Sequence, residues 1–112
     1  MSEEADAELV AEILDAIGRV KTYVEPEGRA GFLKQALVYD AVYLNLLRIG
    51  ECARFLSDAI KARRPDIPWL DIVSLRNRVA HGYETLRPDV LWLIVSVSLP
   101  ELDDALRGLG DL

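Results

Sequence analysis

The 112 residues include a single histidine, a single cysteine and a single methionine, and each scarcity closes a route. Cys52 stands alone, so no intrachain disulfide can form. Its apolar neighbours suit a buried thiol in a reducing compartment, which makes the cytoplasm the expected location. One His and one Cys are too few for a zinc site, and no cluster of Asp or Glu shows recognisable ligand spacing. No metal and no cofactor is therefore expected. The seven glycines are scattered and form neither a phosphate loop nor a nucleophile elbow. The longest apolar run, Val90 to Leu99, is interrupted by Ser96 and Ser98 and falls short of the ~20 residues a membrane span needs. The start, Met1-Ser2-Glu3-Glu4, is acidic and lacks the basic-then-apolar layout of a signal peptide. Sustained alternation of period two and hairpin dipeptides are also missing, so strands are not expected.

What is present is the composition of one globular domain, residues 1–112, with 51% hydrophobic and 29% charged residues. The apolar positions recur at helical spacing throughout. Ser2 is a plausible cap for a first helix that carries Leu9, Val10, Ile13, Leu14, Ile17, Val20 and Val24 and ends at Pro26 and Gly28. A second helical stretch is predicted from about Gly31 to Ala62. Its apolar positions are Phe32, Leu37, Ala41, Leu44, Ile49, Cys52, Phe55, Leu56 and Ile60, and Gly50 is the expected bend. Unbroken, it would run ~45 Å, more than a compact bundle of this size requires. Pro68 opens a third helix with Trp69, Ile72, Val73 and Val79 on its buried side, and Gly82 stops it. The fourth starts near Pro88 and reaches towards Arg107, with a kink expected at Pro100. Its first half is apolar nearly all round. Trp92 and Ile94 cannot share one stripe, so we expect that half to serve both core and interface. The expected fold class is all-α, an antiparallel bundle of four to five helices.

One segment concentrates reactive chemistry. From Arg76 to Tyr83 the chain holds Arg76, Asn77, Arg78, His81 and Tyr83. An imidazole that titrates near neutral pH beside guanidiniums that grip phosphates suggests work on a phosphodiester. The overall charge of -6 argues against nucleic acid, but it is unevenly spread. Between Lys61 and Arg87 six basic residues face three acids, whereas the remainder holds 7 basic and 16 acidic residues. A basic segment on an acidic body fits a confined anion site; arginines that merely solvate a helix end fit it too. On a helix, Asn77 and His81 share a face, and Arg78 also neighbours His81. Arg76 lies about 140° round the axis from His81, at 100° per residue. A long Arg76 side chain could wrap round, or a two-fold axis could pair the last turns of two copies. The second route would supply two imidazoles, one to take a proton and one to give it. The plainer reading is a histidine that caps the last carbonyls of its helix.

Arg76-x4-His81-x-Tyr83 resembles the signature of the HepT-like toxins of the HEPN superfamily, in the form Arg-Asn-x3-His-Gly-Tyr. Ile49-Gly50-Glu51, Ile67-Pro68-Trp69 and Leu99-Pro100-Glu101-Leu102 also resemble that family, and the likeness covers most of the chain from about residue 30 onward. The resemblance implies a HEPN-like homodimer with the motif lining a cleft between subunits. It implies metal-independent RNA cleavage through attack of the ribose 2′-hydroxyl. Arg76 would stabilise the phosphorane's charge, His81 would act as general acid or base, and Asn77 would orient the His81 ring or the phosphate. Arg78 would grip the RNA backbone or be solvated. The resemblance further implies a minimal nucleotidyltransferase antitoxin that transfers AMP to Tyr83. Glu51 is carried over as well, either to hold Arg76 by an ion pair or as a structural acid.

Three functions remain in play: a ribonuclease toxin, a non-catalytic module that docks the nucleotidyltransferase and presents Tyr83, and a plain helical dimer. The acidic total charge leans to the second; the intact Arg76 and His81 lean to the first.

Overall fold

The computed structural model describes the backbone of residues 3–81 and 87–109, and the side chains of residues 5–77 and 87–109. Helix α1 spans Glu3–Val24, α2 Gly28–Lys34, α3 Ala36–Phe55, α4 Asp58–Arg63 and α5 Trp69–His81. Helix α6 covers Pro88–Leu93 and α7 Leu99–Arg107, joined by a π-helical segment, Ile94–Ser98. Among the described residues there is no strand, and the chain is all-α. Helix α6, the π segment and α7 run on without a break, so they form one rod of an all-α, HEPN-like bundle.

Helix α1 packs on α3, and α3 packs on α5. The first pairing is antiparallel, as its polar contacts show. Asp6 near the start of α1 accepts from Ser57 N–H at 2.9 Å, beyond the end of α3, while Glu12 and Asp15 meet Arg48 further back. Val10, Ile13, Ile17 and Val20 from α1 close on Val42, Leu46, Ile49 and Ala53 from α3. Leu91, Val95, Leu99, Leu102 and Leu106 of the last rod complete the core. No helix is long and apolar enough to cross a membrane among the described residues.

The second predicted helix departs from expectation in three ways. It is broken at Gln35 and at Leu56–Ser57, whose backbones turn extended, not at Gly50. Ser57 caps α4, its Oγ accepting from Ile60 N–H at 3.2 Å. Leu37, Leu44 and Phe55, expected inside, are exposed, because Val42, Leu46 and Ile49 carry the buried stripe. Gly50 is not a bend at all. It sits mid-helix and buried, and its missing side chain is a packing device: a Cβ there would lie 2.7 Å from the backbone nitrogen of Arg76 and 3.2 Å from the carbonyl of Ile72.

On α5, Ile72 is buried as expected, Trp69 and Val73 half so, and Leu75 joins them; the Val79 side chain lies outside the described residues. Just upstream of Pro100, where a kink is expected, the helix widens into a π turn. Pro100 cannot donate to the carbonyl four residues back, and Leu99 N–H reaches five residues back to Ile94 instead. The half-buried Trp92 and Ile94 flank this core line, while Leu93 and Val97 face outward.

Candidate functional site

The site is carried by α5, and two features fix that helix before any reactive group is reached. The Trp69 indole N–H donates to the carbonyls of Lys61 at 3.1 Å and Arg64 at 3.0 Å, so the start of α5 is tied to the end of α4. Its apolar side then presses Ile72 and Leu75 into the core, where Gly50 lets the α5 backbone come against α3. The close approach falls at Arg76 itself, and the next residue on α3 is Glu51.

Arg76 and Glu51 therefore meet. Nε of Arg76 lies 2.8 Å from Oε2 of Glu51, an ion pair between side chains that are 46% and 40% exposed. That oxygen is sealed from solvent and receives no well-directed hydrogen bond, so the attraction is chiefly one of charge. The other oxygen of Glu51 lies 3.4 Å from Nη1 of Arg54, one turn along α3. At its far end the guanidinium of Arg76 donates from Nη1 to Oδ1 of Asn77 at 3.2 Å. Two guanidiniums thus share one carboxylate, leaving local positive charge at the surface. Among the described residues both arginines have N–H donors without a partner, in the fork geometry suited to a phosphate.

Of the residues singled out in the sequence, the structure brings together Arg76, Asn77 and Glu51. The ion-pair alternative for Glu51 is the one observed. Arg76 reaches round the helix as far as Asn77, which lies on the face of α5 that continues to His81 one turn on. The backbone of His81 ends α5. The side chains of Arg78 and His81, and all of Tyr83, lie outside the described residues. Sequence reasoning missed Arg54. The signal was available, since Arg54 stands three residues beyond Glu51 on the same helix, on the same face.

Other features do not compete for an anion. A cavity of about 690 Å3 opens between α5, the π segment and α7, floored by Ile72, Leu75, Leu99 and Leu102. Its rim carries Asp71, Glu101, Asp104 and an Asp66 already paired with Arg64 at 2.7 Å. Arg64 and Asp66 offset each other, so the three remaining carboxylates give this rim a net negative charge that disfavours phosphate. Burial raises the Cys52 thiol above its usual range, with Glu12 adding to the effect, which leaves it a poor nucleophile. No group of three or more potential metal-ligating side chains lies together among the described residues.

Comparison with known proteins places the chain among ribonucleases by similarity. The chain is 28% identical over 91 residues to a putative RNase of Methanocaldococcus jannaschii, covering 81% of this chain and 84% of the relative. It is also 28% identical over 91 residues to a probable ribonuclease HepT of Thermococcus cleftensis, covering 81% and 83%. A putative RNase of Caldanaerobacter subterraneus is 24% identical over 76 residues, or 68% of each chain. No solved structure matches. The family described as "Ribonuclease HepT-like" matches residues 13–109, a span that takes in α3, α5 and the charged junction between them, and on that match the chain belongs to the HepT-like ribonuclease family.

Proposed function

We propose that this protein is an endoribonuclease that cleaves RNA without a metal ion, and that it acts as the toxin of a bacterial toxin–antitoxin pair. The observation that carries the reading is the Arg76 guanidinium, anchored by Glu51 and Asn77 on the helix that ends in His81, in a chain of this family. In the proposed reaction the ribose 2′-hydroxyl loses its proton to a base and attacks the adjacent phosphorus. The bond from phosphorus to the 5′-oxygen then breaks, and that oxygen takes up a proton. The products are a 2′,3′-cyclic phosphate and a 5′-hydroxyl.

Arg76 would stabilise the charge building on the phosphorane oxygens. His81 would carry one of the two proton transfers, and His81 of a second copy across a two-fold axis would carry the other. Asn77 would hold the His81 ring or the phosphate, and Arg78 would contact the RNA backbone. Regulation would run through Tyr83: a cognate nucleotidyltransferase would transfer AMP to its hydroxyl, planting an anion where an RNA phosphate must sit.

The test is incubation of RNA in EDTA with wild type and with His81→Ala, followed by analysis of the ends. Cyclic phosphate from wild type and none from the variant is the expected result; equal cleavage by both removes His81 from the reaction. The net charge of -6 favours a second reading, a non-catalytic module that binds the nucleotidyltransferase and presents Tyr83. Absence of cleavage in wild type, together with AMP labelling that Tyr83→Phe abolishes, would select it. Sedimentation at micromolar concentration tests the homodimer, and a monomer there removes the paired imidazoles.

A further inference from the structure

We infer that Glu51 is a positioning residue for Arg76: its carboxylate fixes the guanidinium through Nε and so presents the Nη edge to the scissile phosphate. The inference rests on the ribonuclease reading above and adds how the key cation is held.

Three observations converge. First, the location is imposed by backbone packing. A Cβ on Gly50 would come within 2.7 Å of the Arg76 nitrogen, so the residue after Gly50 is delivered to the root of the Arg76 side chain. Second, the carboxylate engages Nε, the inner nitrogen, at 2.8 Å. Nη1 donates to Asn77 at 3.2 Å, so a charge contact at one end and a hydrogen bond at the other restrain the fork. Third, the Oε2 that faces Arg76 is closed to solvent although both side chains are partly exposed. A carboxylate oxygen shut away from water is stabilised by the positive charge it faces.

A carboxylate near a reacting phosphate has an opposing effect, since it repels the same anion that Arg76 attracts. Arg54 offsets this, drawing the second oxygen, Oε1, towards itself at 3.4 Å. The balance over Arg54, Glu51 and Arg76 is one negative and two positive charges, so the junction remains attractive to RNA. If the carboxylate acts by position, its removal slows the chemical step more than it weakens binding. If it acts as a charge alone, its removal tightens RNA binding and speeds cleavage. The two effects have opposite signs.

The experiment compares wild type, Glu51→Gln, Arg76→Ala and the double variant, in cleavage and in solution dynamics. Glu51→Gln is expected to lower kcat by up to about a hundredfold with KM nearly unchanged, the scale of a misplaced catalytic group. The double variant should be no slower than Arg76→Ala alone, because a positioning role vanishes with the group it positions. Independently of RNA, the 15N order parameter of Arg76 Nε should be clearly lower in Glu51→Gln than in wild type. A Glu51→Gln variant as fast as wild type, or faster, overturns the inference. So does an Arg76 Nε equally mobile in both proteins, a result that stands even if wild type cuts no RNA. Failure of wild type to cleave, with the change in dynamics intact, overturns the ribonuclease reading and leaves Glu51 as the holder of Arg76.

Discussion

Helix α3 carries two charged junctions, one towards α1 and one towards α5, and they differ in stoichiometry. Towards α1, Arg48 donates to Glu12 from Nη2 at 2.8 Å and to Asp15 from Nη1 at 3.0 Å, and Asp15 is bound again by Arg19 at 2.9 Å. One guanidinium there is shared by two carboxylates. With Arg19 counted, two guanidiniums there balance two carboxylates, whereas towards α5 a single carboxylate lies between Arg54 and Arg76. The same residue types therefore make different devices. The α1 side spends its donors internally and braces two helices; on the α5 side N–H donors of Arg54 and Arg76 have no partner among the described residues. Charge totals over the chain hide this, which is why a net of -6 says little about where an anion can bind.

The largest expected effect separates the two junctions by activity. Arg76→Ala should reduce RNA cleavage by about a hundred- to a thousandfold, the cost of removing one transition-state donor, while Arg48→Ala should leave kcat/KM unchanged. Equal losses in the two variants would erase the distinction. A smaller effect concerns packing. Gly50→Ala should destabilise by about 1–3 kcal/mol in urea unfolding, because backbone rather than a flexible side-chain tip blocks the added methyl. The control is Gly18→Ala on α1, where a Cβ meets nothing within 4 Å; it should stabilise by up to about 1 kcal/mol through helix propensity. If both substitutions behave alike, the close approach at Arg76 is not real.

The smallest effects lie in the brace itself. Arg48→Ala should cost less than about 1 kcal/mol, as partly exposed pairs do. Asp15 is held below its ordinary value of 3.8 by the two guanidiniums that donate to it, Arg19 and Arg48. This stabilisation is complete above 3.8 and is lost as pH falls through the lower, folded-state value. Asp15→Asn should therefore flatten the acid limb of a stability-against-pH curve and leave the neutral region nearly level. An unchanged acid limb would show that the contact is not maintained in solution.

Much of this could be read from residue types alone. Pro26 with Gly28, and Pro68 at the head of α5, punctuate the chain where the structure does. Arg76, Asn77 and Glu51 were identifiable as a group through their family likeness. Other features depend on contacts between helices, which periodicity does not encode. Gly50 looks the same in a sequence whether it bends its own helix or admits a neighbour, and only the Arg76 backbone against it decides. Leu37 and Leu44 fit an apolar stripe as well as Val42 and Leu46 do; which stripe is buried depends on where α1 lies. The break at Gln35 carries no Pro or Gly to announce it.

The wide turn from Ile94 to Ser98 has a consequence for how the last rod tolerates length changes. Leu91, Val95 and Leu99 are all buried, four and four apart, and between the last two the backbone is wound wider than a regular helix, Leu99 N–H bonding five residues back to Ile94. With this looser winding the segment behaves as a one-residue surplus stored in the backbone. Deleting Ser96, whose exposed side chain only bonds back to the Trp92 carbonyl, should let the helix close to ordinary winding with Leu102 and Leu106 still inward. A cooperative unfolding transition with an unchanged urea slope is the expected sign, and a shallow, broadened one would show that the surplus is indispensable.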